Sequence, residues 1–406
     1  MTSAPGPWLA IVGIGEDGVE ALSPAARTLI AGAALVVGGR RHLALAASLI
    51  RGETMPWPSP IADGLPAILA RRGDPVVVLA SGDPFCFGIG TMLAGAVPSG
   101  ELLCLPAPGA VSLACARLAW SMQETGLLSI CGRPIEALLP ALQPGIRLLV
   151  LSADETSPQA VASLLVRHGF GGSVLHVLEA LGGANERMRR FQASDALPDG
   201  IDRLNLIALE IVGGPDARVI PLGTGLPDAF FGNDGQLTKR EVRAATLSAL
   251  SPRQGETLWD IGAGSGSISI EWMLLHPANR AFAIERRPDR ADRAMRNAVS
   301  LGVPGLVVIG GAAPDGLADL PMPDAVFIGG GASKPGVLEA AWSALRHGGR
   351  LVVNSVTIET EARLFAAYAR YGGTLTRISV ERLDRVGGMH GFRPAMTVTQ
   401  YAATKP

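Results

Sequence analysis

Short apolar runs rich in valine, isoleucine and leucine recur along the chain, separated by longer stretches whose apolar residues repeat at helical spacing. This alternation is typical of strand, helix, strand units, and it predicts an α/β protein with mainly parallel sheets. The strand-like runs of the first half are 9–13, 76–80, 127–131, 147–151, 174–179 and 204–211. Seven further runs in the second half lie near Thr257, Ala281, Leu306, Ala325, Leu351, Leu375 and Met396. These seven predict a doubly wound sheet closed by an antiparallel hairpin.

The length of the chain, 406 residues, exceeds what one hydrophobic core usually organises. Between the two groups of strands lies 213–235, which is rich in glycine and proline, has little periodicity and therefore predicts a linker. We expect one domain over 1–212, with sub-domains of about 1–105 and 106–212, and a second domain over 236–406.

Composition narrows the class of partner. Only 17% of the residues are charged and the formal net charge is -1, so the chain lacks the excess of lysine and arginine that nucleic acid or an anionic membrane requires. The N-terminus has no signal-peptide layout, and glycine and proline interrupt the longest charge-free stretches, which favours a cytoplasmic protein. Without CxxC spacing, the cysteines are expected to be buried, reduced and free of metal: Cys86, Cys104, Cys115 and Cys131.

A glycine-rich loop follows the first strand of the second half. That strand ends at Asp260, and the loop runs through Gly262, Gly264 and Gly266 into a helix. Glycines allow the tight turn and let a ligand approach the main chain. The next strand ends at Glu285, where a carboxylate can accept both hydroxyls of a ribose. Because an acid just before the loop repels a pyrophosphate but suits a sulfonium, the pattern favours S-adenosylmethionine over a dinucleotide.

Three loops of a different kind mark the first half. They are Gly-Ile-Gly at 13–15, Ala-Ser-Gly-Asp-Pro at 80–84 and Pro-Ala-Pro-Gly-Ala-Val-Ser at 106–112. The first loop also fits GxGxxG, but the helix after it begins only at the Ser23 cap, too far along the chain to offer its N-terminus to a phosphate. A dinucleotide is therefore disfavoured here as well.

These patterns resemble two known families. The second half is similar to the class I, Rossmann-like methyltransferases, and the first-half loops are similar to those of the tetrapyrrole methylases, whose cleft lies between two α/β sub-domains. Joined in this order, the halves resemble the fused, decarboxylating precorrin-6Y C5,15-methyltransferases over nearly the whole chain. Segments of the second half that also carry the resemblance are 238–243, 313–314, 323–330, 348–357 and 393–394.

The resemblance implies an activity. The chain would methylate reduced precorrin-6 at carbons 5 and 15 and remove the carboxyl group of the ring C acetate, giving precorrin-8 in cobalamin biosynthesis. It implies two S-adenosylmethionine sites per chain, a small tetrapyrrole substrate and a homo-oligomer, either a dimer or a tetramer. We expect the N-terminal domain to serve carbon 5 and the C-terminal domain carbon 15.

The resemblance also assigns cofactor-binding residues by motif position. In the N-terminal domain they are Gly13, Gly15, Ser81, Asp83, Pro84, Pro108, Gly109, Ala110 and Ser112. In the C-terminal domain they are Thr238, Asp260, Gly262, Ala263, Gly264, Ser265, Gly266, Glu285 and Ala313. Two positions depart from the family pattern: Ala312 replaces an Asp that reads adenine, and Cys131 replaces a His before Gly-Arg.

Methyl transfer to an enamine-like ring carbon needs mainly alignment and exclusion of water, so no strong general base is expected. Decarboxylation needs an electron sink and afterwards a proton donor. The candidates are Arg393 and Asn354 for binding carboxylates and His390 for donating the proton. Two alternatives stay open: a methyltransferase of another small molecule or RNA with only its C-terminal domain active, and a protein that binds tetrapyrroles without chemistry.

Overall fold

The structure is a computed structural model that describes residues 6–406. The chain forms two compact units. The first comprises the chain up to Arg133 together with Gln143–Arg218, and the second comprises Pro134–Leu142 together with Val219–Pro406. The boundary after Arg218 falls inside the segment for which the sequence predicts a linker.

The later part of that segment is anchored in the second unit. Leu226 and Phe231 are buried, and the amide of Gly225 donates to Glu271 Oε2 at 2.6 Å. Glu271 in turn pairs with Arg243, whose side chain is fully buried. A buried ion pair with further hydrogen bonds fixes this stretch despite its glycines and prolines.

The first sheet of the first unit is parallel throughout, in the order β3-β2-β4-β1-β5. Its strands are β1 (Leu9–Ile14), β2 (Leu35–Gly38), β3 (Glu53–Pro56), β4 (Val76–Ser81) and β5 (Leu102–Leu105). Its helices are α1 (Pro24–Gly32), α2 (Arg40–Leu45), α3 (Leu65–Leu69) and α4 (Gly90–Ala94). The central strands β1 and β4 are buried along nearly their whole length, as expected for a parallel sheet covered on both faces.

The second sheet departs from the expected parallel pattern. Its order is β6-β7-β10-β8-β9, and only the pair β6 and β7 is parallel. The strands are β6 (Thr125–Ser129), β7 (Arg147–Leu151), β8 (Val174–Glu179), β9 (Arg187–Gln192) and β10 (Asn205–Glu210), with helices α5 (Ala110–Leu118) and α6 (Ser157–Arg167). No helix separates β8, β9 and β10, and antiparallel neighbours need only short connections.

The second unit contains the predicted seven-stranded sheet, in the order β13-β12-β11-β14-β15-β19-β16. Its strands are β11 (Thr257–Ile261), β12 (Arg280–Glu285), β13 (Val307–Gly310), β14 (Ala325–Ile328), β15 (Arg350–Ser355), β16 (Thr374–Ile378) and β19 (Val398–Thr404). Its helices are α7 (Arg240–Leu250), α8 (Ser267–Leu274), α9 (Pro288–Ser300), α10 (Val337–Ala344) and α11 (Ile358–Tyr371). The strand order reverses between β11 and β14, so the crevice beyond their carboxyl ends is the favoured ligand position.

One feature of this unit is not evident in the sequence. Between β16 and β19 the chain forms a separate two-stranded hairpin of β17 (Glu381–Val386) and β18 (Met389–Pro394). Nearly all of its residues are exposed, so its strands lack the buried alternation by which strands are recognised.

Candidate cofactor-binding sites

The glycine loop between β11 and α8 has the conformation that its sequence predicts. Gly262, Gly264 and Gly266 have φ values of 75°, 59° and 75°, which side chains rarely adopt. A Cβ atom on Gly262 would lie 2.8 Å from three backbone atoms of Gly330, which follows β14. The glycines therefore serve both the turn and the close approach of two strand ends.

Glu285, at the end of β12, holds this loop in place. Its Oε2 accepts a hydrogen bond from the amide of Gly264 at 2.9 Å, and its Oε1 accepts from the amide of Arg287 at 2.9 Å. A carboxylate has further acceptor capacity on both oxygens. The strand-end acid and the glycine loop thus form one arrangement that could also receive ribose hydroxyls.

Asp260 is buried beneath the loop. Its Oδ2 accepts from the amide and the hydroxyl of Ser269, at 3.2 and 2.7 Å, whereas its Oδ1 is buried without a hydrogen-bond partner. Burial raises the pKa of Asp260 to about 6, against the opposing effect of Ser269. A buried carboxylate without a cationic partner favours positive charge nearby, as a sulfonium or an ammonium would supply.

The other assigned residues of this site are only partly brought together. Gln236 O lies 3.6 Å from the position of a Cβ on Gly264, so the segment before α7 runs beside the loop. Thr238 lies two residues further on, and its carbonyl accepts from Arg243 Nη1. It does not cap α7, because the cap position is Lys239. Ala263, Ser265 and Ala313 show no side-chain contact that assigns them a function.

The three candidate catalytic residues do not share one site. Asn354 Nδ2 donates to Thr246 Oγ1 at 2.8 Å and its Oδ1 accepts from Gln400 at 3.0 Å, so this amide is already engaged within the fold. Arg393 and His390 lie on the exposed strand β18. Arg393 contacts Asp384 at 3.2 Å and lines a cleft. The residues that line this cleft are Lys239, Val242, Ile378, Val380, Arg382, Leu383, Asp384, Arg393, Pro394, Ala395 and Met396.

In the first unit the three predicted loops converge at the carboxyl edge of the first sheet. A Cβ on Gly13 would overlap the carbonyl of Gly82, and a Cβ on Gly82 would overlap Gly109. Asp83 Oδ1 accepts from the amide of Phe85 at 2.9 Å and so shapes the middle loop. Only glycine permits the backbones to approach this closely.

A pocket lies between these loops and the second sheet. Its lining residues are Ile14, Gly15, Glu16, Arg41, Ser81, Gly82, Pro108, Ala110, Leu113, Leu178, Leu181, Leu204, Asn205 and Leu206. Gly15, Ser81, Pro108 and Ala110 were assigned to the cofactor from the sequence. The lining does not include the other assigned residues, Gly13, Asp83, Pro84, Gly109 and Ser112, of which Gly13, Asp83 and Gly109 support the loops.

Polar residues that sequence reasoning missed surround Ser81. Arg41 Nη2 donates to the Ser81 hydroxyl at 3.0 Å and to His42 Nε2 at 2.9 Å, and Arg41 pairs with Glu16. His42 Nε2 lies 2.8 Å from the same hydroxyl. Burial, reinforced by the Arg41 charge, lowers the pKa of His42 to about 4. The signal was present, because Arg41 and His42 follow β2 at the same edge of the sheet as Ser81.

The expectation of buried cysteines is wrong for Cys131. This side chain is exposed, and its thiol contacts the Ser152 carbonyl at 3.0 Å. Cys115 is buried, whereas Cys86 and Cys104 are half-buried. The apolar run before Cys131 suggested burial, but β6 ends at Ser129 and the chain then turns toward solvent.

Residues 6–406 contain no cluster of three or more His, Cys, Asp or Glu side chains that could hold a metal ion. The same residues include no helix that is long and apolar enough to cross a bilayer.

Comparison with known proteins gives concordant results for both units. A family model described as "Tetrapyrrole (Corrin/Porphyrin) Methylases" matches residues 9–197, and one described as "Precorrin methyltransferase domain" matches residues 229–405. A protein of a Sinorhizobium species named "Precorrin-6Y C(5,15)-methyltransferase [decarboxylating]" is 55% identical over 98% of this chain and 97% of its own. A Mycobacterium tuberculosis (strain CDC 1551 / Oshkosh) protein of the same name is 41% identical over 97% of this chain and 99% of its own.

A third relative is much shorter. The "Probable cobalt-precorrin-6B C(15)-methyltransferase (decarboxylating)" of Saccharolobus solfataricus is 36% identical over 160 residues, which are 38% of this chain and 79% of that protein. The printed name of that relative gives methylation at carbon 15, and its match to this chain has the length of a single domain.

Proposed function

The chain belongs to the family of decarboxylating precorrin-6Y C(5,15)-methyltransferases, and we propose that it methylates reduced precorrin-6 at carbons 5 and 15 and decarboxylates the ring C acetate, giving precorrin-8 in cobalamin biosynthesis. The observation that carries this proposal is a glycine-lined strand-end site in each of two differently built units. Two relatives that bear this name match almost the entire chain.

We propose that each unit binds one S-adenosylmethionine. When bound, this cofactor supplies an electrophilic methyl group on a positively charged sulfur. The second unit fits it because the unpartnered Asp260 Oδ1 favours a nearby cation and Gly264 leaves open space beside the main chain of the loop. In the first unit the pocket combines apolar walls with the charged side chains of Glu16 and Arg41.

Carboxylate recognition in the second unit is assigned to the cleft beside the β17–β18 hairpin. Lys239, Arg382 and Arg393 line it. A substrate with several acidic side chains would compete for them with the carboxylates that now pair with them, those of Asp228, Glu241 and Asp384. His390, on the same hairpin, remains the proposed proton donor after decarboxylation. Asn354 is reassigned to positioning, because its amide is engaged by Thr246 and Gln400.

The proposed division of labour gives carbon 5 to the first unit and carbon 15 with decarboxylation to the second. The short Saccharolobus relative supports it, since its printed name couples C(15) methylation with decarboxylation. The test incubates reduced precorrin-6 and S-adenosylmethionine with the intact chain, with Gly264→Arg, or with Gly15→Arg. The mass of the product is then measured, and equilibrium dialysis gives the number of S-adenosylmethionine molecules bound per chain.

The intact chain should bind two equivalents and give two methyl gains with one loss of carbon dioxide. Each variant should bind one equivalent of S-adenosylmethionine. Gly264→Arg should retain methylation at carbon 5 only, and Gly15→Arg should lose methylation at carbon 5. If Gly264→Arg abolished methylation at carbon 5 but spared carbon 15, the assignment would be reversed. One equivalent bound by the intact chain would favour a methyltransferase active only in its C-terminal unit.

We also propose that the protein works in the cytoplasm as a homo-oligomer. Four free cysteines, one of them exposed, suit a reducing compartment, which fractionation of producing cells would test. Self-association is supported by the exposed apolar side chains of the hairpin, including Leu383, Met389 and Phe392. Sedimentation velocity measures the particle size.

A further inference from the structure

The first residue of β10, Asn205, lies in the wall of the first unit's pocket and is only 9% exposed. Its Nδ2 donates to the carbonyl of Asp154 at 3.0 Å and to that of Asp202 at 2.9 Å. Both partners can only accept, so the orientation of the amide is fixed by the fold. Its Oδ1 is therefore directed away from them, and it is buried without a hydrogen-bond partner.

An oxygen in this position is available to a hydrogen-bond donor that the protein does not supply. Leaving a buried acceptor unpaired is costly, and the protein has supplied no donor of its own. The surrounding lining is apolar and consists of the leucines at 113, 178, 181, 204 and 206. Leu206, the next residue of β10, pairs directly with Leu178 in the sheet, and both line the pocket.

The charged and hydroxyl-bearing lining residues are contributed by a different part of the pocket. Glu16 and Arg41 follow strands of the first sheet and Ser81 ends one, whereas Asn205 belongs to the second sheet. The residues at the first sheet suit the charged groups of an amino acid. Asn205, at the second sheet, suits a planar base that carries an amino group. S-adenosylmethionine contains both, which sets its direction in the pocket.

We propose that Asn205 Oδ1 accepts a hydrogen bond from the 6-amino group of the adenine ring and so makes the first unit selective for an adenine nucleoside. The inference rests on the proposed cofactor site of the first unit and adds a specificity-determining residue to it.

The test measures binding calorimetrically in the full chain carrying Gly264→Arg, which silences the site of the second unit. Two ligands are compared: S-adenosylhomocysteine and S-inosylhomocysteine, in which a carbonyl oxygen replaces the 6-amino group. With Asn205 present, the inosine compound should bind about 10- to 100-fold more weakly, because two acceptor oxygens would face each other. With Asn205→Leu added, this ratio should fall to within about threefold.

Leu113→Ala is the matched control. It lines the same pocket and should weaken both ligands alike, leaving their ratio unchanged. Asn205→Asp covers the case in which the leucine variant does not fold. Burial should keep this acid protonated, so that its hydroxyl donates to a neighbouring carbonyl while the other oxygen still selects adenine.

The outcomes separate this inference from the function on which it rests. If S-adenosylhomocysteine binds but the two ligands bind equally, or if Asn205→Leu preserves the ratio, Asn205 does not read the base. If Asn205 contacted the ribose instead of the base, Asn205→Leu would leave the ratio of the two affinities unchanged, because both ligands carry the same ribose. If neither ligand binds the Gly264→Arg chain, the proposed site of the first unit is absent and the inference is overturned with it.

Discussion

Buried oxygens without protein partners mark both sites. In the second unit it is Oδ1 of Asp260, and in the first it is Oδ1 of Asn205. Each such atom costs stability, because it gives up hydrogen bonds to water without replacement. Both residues lie near the ends of strands beside the proposed cofactor sites, so the proposal implies that a bound ligand offsets part of that cost.

Asp260 gives a pH-dependent prediction. Its folded pKa, about 6, lies above the ordinary 3.8, so the folded chain binds more protons between these values and stability falls as pH rises through them. The amide introduced by Asp260→Asn cannot titrate, so the unfolding free energy of this variant relative to the unsubstituted chain should rise by roughly 2 kcal/mol from pH 4 to pH 7. Urea unfolding at several pH values measures this difference.

Asp234 provides the control of opposite sign. Hydrogen bonding to Arg290 lowers its pKa to about 2, so its stabilising contribution is present above pH 3.8 and is lost only as pH falls through about 2. The difference in unfolding free energy between Asp234→Asn and the unsubstituted chain should therefore change little from pH 4 to pH 7. A flat difference for Asp260→Asn as well would show that burial does not raise the pKa of Asp260.

The sequence identifies those of these side chains that lie in a local motif and misses those whose contacts come from distant parts of the chain. Asp260 is the penultimate residue of β11, just before the glycine loop, and Glu285 ends the next strand, so local spacing identifies them. Asn205 is different, because Asp154, which fixes its amide, is 51 residues away in the chain. Arg41 meets Ser81 across 40 residues. Only the strand order of the folded sheets brings such pairs together.

The loop between β11 and α8 allows a matched comparison of two glycines. Gly264 has a positive φ but open space, since the nearest atom to an added Cβ is Gln236 O at 3.6 Å. Gly262 has a positive φ, and its Cβ would also collide with the backbone of Gly330. Gly264→Ala should cost about 1 kcal/mol of unfolding free energy through backbone strain alone, whereas Gly262→Ala should cost about 3 kcal/mol.

Chemical denaturation of the two variants checks this. Equal losses would mean that the loop can move away from the β14 end and that their close approach is not fixed. The comparison is sensitive because both substitutions add the same methyl group to the same loop and differ in their surroundings.

Most strands with a buried face were predicted, whereas the short buried strand β2 and exposed strands such as β9 and β17 were missed. β7 and β8 match their predicted bounds because their valines and leucines are largely buried. β9 reads Arg-Met-Arg-Arg-Phe-Gln and is mostly exposed, and β17 is exposed throughout. Glu241, in the first turn of α7, pairs with Arg382 of the hairpin, 141 residues further along the chain. Local propensity cannot anticipate a partner that lies so far along the chain.

For the chain as a whole, the β17–β18 hairpin is the feature on which the proposal of self-association rests. A two-stranded ribbon is marginal in water unless something packs on it. Here Leu383 faces Phe392 and Val386 faces Met389 across the strands, and all four side chains are more than half exposed. With a formal net charge of only -1, little long-range repulsion opposes the approach of a second copy.

If the hairpin forms the contact of the proposed oligomer, the double variant Leu383→Glu/Phe392→Glu should dissociate it. Burying one large apolar side chain contributes about 1.5–3 kcal/mol, so loss of two per copy should weaken association by more than about 100-fold. Ile358→Glu is the control, because Ile358 is 81% exposed at the start of α11, away from the hairpin in the chain, and should leave the particle size unchanged. Sedimentation velocity distinguishes the cases. An oligomer that survives the double variant would place the contact elsewhere, and one lost equally in both variants would show a general effect of added charge.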